Sequence, residues 1–314
     1  MRFERVAKNK KLAPTPSVPQ RLSVLKTYKM FIGGSFPRTE SGRSYTPIVK
    51  GRPLGNLCRG SRKDVRNAVN AARAAQPNWA NRTSYNRAQI LYRIAEMLEA
   101  RRLQFIQDLK LQGASQSQAL SEVDMSIERL VYYAGWCDKY QQVFSSVNPV
   151  ASQHFNFSIL EPMGVVFHIA SEKQPLLGII SMMAPIIAGG NTTICLASET
   201  KPISAVNLAE VLATADVPAG VVNILTGSLD ELAAPVALHL DINAIAWDRS
   251  SNNRNDATLQ TIQEKATGNL KRVRQYEKPW NQAESQNPYL IADFCEVKTT
   301  WHPIETIGGT GSGY

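Results

Sequence analysis

From about residue 61 to residue 140 the apolar positions recur with a helical period. Ser61-Arg-Lys-Asp opens the first run, with Val65, Val69 and Ala72 on one side, and this helix is expected to stop before Pro77. A second helix is predicted from Thr83 or Ser84 to Leu111, burying Ile90, Leu91, Ile94, Leu98 and Phe105 and ending at Gly113. A third covers about Ser117 to Tyr140, with Val123, Ile127, Leu130, Val131 and Ala134 turned inward. Ahead of them, YKMFIGGSF alternates apolar and polar residues around Gly33-Gly34, the pattern of a hairpin.

Beyond residue 160 the rhythm changes. GVVFHIA, TTICLA, VVNILT and INAIAW are short, almost continuous apolar runs, separated by helical segments at 175–188, 202–215 and 229–238. Strands without alternation are buried on both faces, so the pattern predicts βαβ units and a doubly wound parallel sheet, an α/β fold. The expected organisation is a basic, proline-containing tail at 1–28, an α/β unit at 29–302 and a flexible glycine-rich end at 303–314.

Composition changes this picture mainly at the N-terminus. The net charge is +9, yet residues 1–30 hold eight basic residues against the single acid Glu4, so seven of the nine charges are there. The tail's Arg2, Arg5, Lys8, Lys10 and Lys11 could meet an acidic protein face or RNA, while Pro14, Pro16 and Pro19 keep it extended. Arg-rich, acid-poor termini also occur in organelle targeting, which suggests a mitochondrial location, with the cytoplasm as the alternative. No apolar run reaches the ~18–20 residues of a membrane span. Cys58, Cys137, Cys195 and Cys295 are scattered without ligand spacing, so neither a metal site nor a disulfide framework is expected.

The candidate chemistry lies in HIASEKQPLLGII, His168 to Ile180, where an apolar strand passes through a charged turn into an apolar helix. Such turns are the usual ligand positions of α/β proteins. The wording around it resembles the aldehyde dehydrogenase family. MFIGGSF is similar to that family's N-terminal hairpin, and SRKDVRNAVNAARAAQPNWA to its first long helix. EPMGVV, APIIAGGNTTICLASE, DVPAGVVNILTG and HLDINAIAW resemble successive pieces of its dinucleotide-binding, Rossmann-type domain, over about residues 29–250. GRPLGN, SIERLVYYAGWCDKY, TGNLKRV and VKTTWHPI resemble, more narrowly, the degenerate truncated C-terminal half of family 16 members.

The resemblance implies an oxyanion-hole asparagine in the first turn, where Lys173 stands. It implies a lysine and a glutamate for the ribose, where Leu196 and Glu199 stand, so only Glu199 is retained. The pyrophosphate turn aligns with Asp248–Arg254, and LTGSLDEL keeps Gly227. Glu277 lies near the register of the general base. The family's nucleophilic cysteine has no counterpart, Cys295 being read as a core residue rather than a thiolate. The expectation is therefore a chain that lacks the catalytic domain, carries vestigial Glu199 and Gly227, uses no cofactor and is not an enzyme. Its expected role is that of an accessory subunit of a larger assembly, with a dimer as one form it could take. A residual NAD or nucleotide binder, and an RNA-contacting subunit, are the alternatives.

Overall fold

The computed structural model describes residues 24–249, 256–277 and 279–304. The basic residues at the start of the tail, most of the expected pyrophosphate turn and the glycine-rich end lie outside the described residues. Within them, Phe31 and Ile224 exchange backbone hydrogen bonds of 2.9 and 2.7 Å, and Gly33 and Gly34 (φ +59° and +75°) close the tight turn between Ile32 and Ser35. Short strands follow: β1 (Ser44–Tyr45), β2 (Ile48–Val49), β3 (Arg52–Pro53) and β4 (Leu57–Cys58), with β1 paired to β4 and β2 to β3.

The helical layer is α1 (Arg62–Ala80), α2 (Ser84–Ala100), α3 (Arg102–Leu111), α4 (Gln116–Trp136) and the short α5 (Tyr140–Phe144). The Asp64 carboxylate caps α1, accepting from the Ser61 N–H at 2.7 Å, as the capping pattern predicts. Three boundaries differ from expectation. α1 runs through Pro77, because continuing it buries Trp79, whose Nε1 donates to the Ile187 carbonyl at 3.0 Å. The second predicted helix breaks at Arg101 (φ −107°, ψ 14°), which lets Phe105, Ile106 and Leu109 turn inward while Arg102 pairs with Asp124. The third ends at Trp136, and Val131 faces solvent, because the buried side is set by Leu130, Tyr133 and Ala134.

The rest of the chain builds two further sheets. β5 (Ser146–Asn148) and β6 (His154–Pro162) are antiparallel, and precede β7 (Val165–Ile169), α6 (Leu177–Ala188), β8 (Thr192–Leu196) and α7 (Ile203–Thr214). Next come β9 (Val222–Leu225), α8 (Leu229–Leu238), β10 (Ala244–Asp248), α9 (Asp256–Ala266) and β11 (Arg272–Tyr276). After α10 (Tyr289–Ala292), β12 (Cys295–Pro303) returns antiparallel to β6.

The main sheet is parallel in the order β11-β10-β7-β8-β9. β7, β8, β9 and β10 are buried along their whole length, the reason their sequences do not alternate. Val165, Phe167 and Ile169 pack toward α1 and α8, and Val166 and Ala170 toward α6 and the long helices. The α/β prediction is met by the structure, together with a three-stranded sheet β12-β6-β5 that the sequence pattern does not announce.

Candidate functional site at the sheet switch point

The chain enters the sheet at β7, winds outward through β8 and β9, then returns on the other side through β10 and β11. The order reverses between β7 and β10, and ligands of open α/β sheets bind outside the carboxyl ends of the strands at such a reversal. Here a crevice of about 350 Å3 is lined by Glu172, Glu199, Gly227, Asp230, Asp248 and Arg249, among others.

The first turn is organised by Glu172. Its Oε1 accepts from the Glu199 N–H at 2.8 Å and its Oε2 from Ser198 Oγ at 2.6 Å and from Thr200 Oγ1. The turn after β7 is thus tied to the turn after β8 by a carboxylate. Burial raises the Glu199 carboxyl above its ordinary value, against a hydrogen bond from Ser228 and the charge of Arg59. Gly227 has φ +148°, and a Cβ there would come within 2.9 Å of the Gly60 nitrogen, so only glycine fits this approach. Arg249 is buried at the end of β10 and spends its guanidinium on Gln275 Oε1, at 2.7 Å, and on Asp256.

Trp280 covers the reversal itself. Its indole is buried, its Nε1 donates to Asp248 Oδ2, and its backbone N–H donates to Gln174 Oε1 at 2.8 Å. Gly178, in the first turn of α6, makes room for this pair: a Cβ there would meet Ser171 Cβ at 2.7 Å, Asp248 Oδ2 at 3.1 Å and Trp280 Cδ1 at 3.3 Å.

Arg129 holds the covering segment from the α4 side. It is 1% exposed and donates to Ser181 Oγ (2.8 Å), Trp280 O (2.9 Å), Ser285 O (3.1 Å) and Gln286 Oε1 (3.0 Å). All four acceptors are neutral, and burial pulls its pKa below the ordinary guanidinium value.

The expected site residues therefore separate. Glu199 and Gly227 share the crevice, whereas Lys173 is an exposed residue lining a different cavity, beside Gln174 and Lys201. Leu196 ends β8 at the crevice. Cys295 is 4% exposed, with its Sγ donating to the Ile291 carbonyl at 3.3 Å, and burial pushes its thiol up to about 12. That is the setting of a packed thiol, not a nucleophile. Among the described residues no group of three or more His, Cys, Asp or Glu could hold a metal, and no helix is long and apolar enough to cross a membrane.

Sequence reasoning did not anticipate Trp280 or Arg129. A lone tryptophan just after the last parallel strand, in EKPWNQ, is the signal that was available for the first. Nothing in the pattern distinguishes Arg129 from a solvated helix arginine.

Residues 37–299 match the aldehyde dehydrogenase family. Human aldehyde dehydrogenase 1A1 is 30% identical over 82% of this chain and 52% of its own. The human mitochondrial 10-formyltetrahydrofolate dehydrogenase is 29% identical over 88% of this chain and 30% of its own. Among solved structures, the NAD+ complex of an aldehyde dehydrogenase from Bacillus cereus superposes with a TM-score of 0.74, at 28% identity, over 80% of this chain and 50% of that one. The chain thus spans about half, or less, of the length of these relatives. The match to a family of enzymes corrects the expectation that the chain is not an enzyme. That expectation rested on replaced ligand contacts and on catalytic residues with no counterpart here. Replaced contacts describe one crevice, and a match to about half of the relatives' length says nothing of residues in the other half.

Proposed function

Because the chain belongs to the aldehyde dehydrogenase family, we propose that it serves as an accessory subunit of an aldehyde-dehydrogenase-type assembly, docked through its antiparallel sheet. The observation that carries this is the face formed by Val147, Phe155, Phe157 and Ile159, which lines an apolar groove of about 300 Å3 on β5 and β6. Val147 is 67% and Phe155 46% exposed, and β5 is an edge strand. An apolar face beside an open strand edge is a surface that association would cover. The occupant is a second subunit of the same fold. Resemblance to the truncated half of family 16 members, which adjoins a complete module, supports this pairing.

The dinucleotide that the family implies does not fit the crevice as its side chains stand. A pyrophosphate there would face Glu172, Glu199, Asp230 and Asp248, and the α8 N-terminus that could receive it already carries Asp230 and Glu231. The guanidinium that lines the crevice, Arg249, donates to Gln275 and Asp256. A second reading keeps a nucleotide at the half-buried Glu199; micromolar NAD binding lost in Glu199→Gln would favour it.

Contacts of the basic tail with an acidic partner or RNA, and a mitochondrial location, belong to the same proposal. They rest on the charge of residues 1–30, and fluorescence microscopy of the tagged full chain reads the location directly.

The test is the mass of the full chain by light scattering. The wild type should run as a dimer or larger, and Phe155→Asp with Phe157→Asp should run as a monomer with an unchanged circular dichroism spectrum. A wild type that is monomeric at every concentration, and that retains no full-length family member in pull-down, overturns the proposal.

A further inference from the structure

The loop 38–43 is pinned to the first turn of α1. Asp64, 1% exposed, accepts from Thr39 Oγ1 at 2.7 Å and from the Glu40 N–H at 3.2 Å, in addition to its bond from Ser61. The Arg59 N–H donates to the Arg43 carbonyl at 2.9 Å, closing the same loop onto the stretch between β4 and α1. Arg38, Arg43 and Arg59 are thereby gathered around Arg62, Lys63 and Arg66. Lys63 and Arg66 are three residues apart and Arg62 and Arg66 four, so these three share one side of the helix, with ~6 Å of rise per turn.

These cations meet the carboxylates of Glu40, Asp64 and Glu231, and two of the three are already committed. Asp64 is buried in the cap, and Glu231 is held by Arg43 and Arg59, each at 2.9 Å. Arg38, Arg62, Lys63 and Arg66 are exposed and make no ion pair or side-chain hydrogen bond among the described residues. Arg62 and Lys63 also open α1, where the helix dipole favours anions, and like charges one turn apart repel. The fold gains nothing from cations at these positions, whereas an external anion does. Beyond residue 30 the chain carries a net charge of only +2, so the cluster is a local feature of an otherwise balanced body.

We propose that the start of α1 docks the phosphate backbone of a double-stranded nucleic acid, through Arg38, Arg62, Lys63 and Arg66 and without reading of sequence. Three of the four are arginines, whose planar fork matches phosphate oxygens. No large hydrophobic side chain of α1 is exposed, so the surface lacks the apolar anchor on which a protein partner would centre. It also lacks the aromatic platforms on which single strands stack. A duplex needs neither, since its phosphates lie outside and its bases are already stacked. The surface belongs to the folded body and is separate from the basic tail and from the antiparallel sheet.

Fluorescence anisotropy on the full chain, with a short labelled RNA duplex at ~50 to ~200 mM salt, tests it. Arg38→Gln, Arg62→Gln, Lys63→Gln and Arg66→Gln together should weaken binding by ~10-fold or more at the low-salt end. The slope of log affinity against log salt should fall by ~3–4, about one per lost phosphate contact. Lys110→Gln, Lys173→Gln, Lys201→Gln and Lys265→Gln together remove the same charge elsewhere and should leave both within ~2-fold of wild type. The α1 substitutions should act equally when Arg2, Arg5, Lys8, Lys10 and Lys11 are already glutamine, so failure of the tail contact and failure of this one read out separately. The α1 variant should melt at or above wild type, because the lost cations oppose the helix dipole. An unchanged slope, an equal loss in the lysine control, a lower melting temperature, or tighter binding to single-stranded RNA, polyglutamate or phosphatidylserine vesicles overturns the proposal.

Discussion

Trp280 and Asp248, 32 residues apart, join the segment after the last parallel strand to the end of β10 through an indole N–H on a carboxylate oxygen. The pair seals the point where the sheet reverses and leans on Gly178, where an added Cβ would clash with Ser171 Cβ at 2.7 Å and press on Asp248 Oδ2 at 3.1 Å and Trp280 Cδ1 at 3.3 Å. Gly178→Ala should therefore destabilise the fold by ~1–3 kcal/mol, the usual effect of overpacking a filled site. Thermal melts should place it below wild type. An unchanged melting temperature would mean that the turn at Ser171 gives way freely.

Trp280→Phe keeps most of the ring volume and removes the donor to Asp248. A hydrogen bond to a charged group contributes about 1.5–3 kcal/mol, so a melting temperature several degrees lower is expected. The same substitution should raise the proteolytic sensitivity of the 279–287 segment, as mass spectrometry of the fragments would show.

Arg129 is a buried cation whose four hydrogen-bond acceptors are all neutral oxygens. Arg129→Met leaves Ser181 Oγ and the carbonyls of Trp280 and Ser285 without this donor, and the loss should be about 3 kcal/mol or more. Arg129→Lys cannot reproduce the planar fork and should recover only part of it. Hydrogen exchange should rise in residues 279–287 of both variants. Rescue to wild-type protection by lysine would show that charge, not geometry, holds the segment.

The native value of Glu122 lies at about 7, above the ordinary 4.5, because burial disfavours its charge. A value raised on folding stabilises below the unfolded pKa, and that contribution is lost as pH rises through the folded one. Wild type should thus lose up to about 3 kcal/mol through this group between pH 4.5 and 7, whereas Glu122→Gln should not. Denaturant melts at pH 4.5 and pH 8 check it: the variant should gain on wild type only at the higher pH.

The tail prediction concerns Arg2, Arg5, Lys8, Lys10, Lys11 and Arg21, with Glu4 as the only acid before residue 24. Thr27 and Tyr28 already pair with Asn56, so removal of residues 1–23 spares those bonds. The truncated chain should melt within a degree or two of the full one, yet lose any association that weakens as salt rises. Wild-type association of the truncated chain at every ionic strength would end the idea that the tail is an attachment arm.

The order of strands and helices was legible in the sequence because each element leaves a local mark. GVVFHIA and TTICLA are apolar without alternation, which only a strand covered on both faces tolerates, and the Ser61–Asp64 cap and Gly113 punctuate the helices. Glu199 and Gly227 are singled out by the family resemblance alone, and the structure places each just beyond a strand's carboxyl end. What surrounds them was not legible in the sequence. The β6–β12 pairing joins residues such as Ser158 and Thr299, whose hydroxyls stand 2.9 Å apart, across 141 positions of sequence. Trp280 over Asp248, Arg129 beneath its four neutral acceptors and Glu122 on the start of α6 are likewise meetings of distant segments. Their stability comes from burying polar groups against partners that only the folded chain supplies. Local periodicity decides which element a stretch becomes; whether a charged side chain ends in solvent or in the wall of a cavity is decided by what packs across from it.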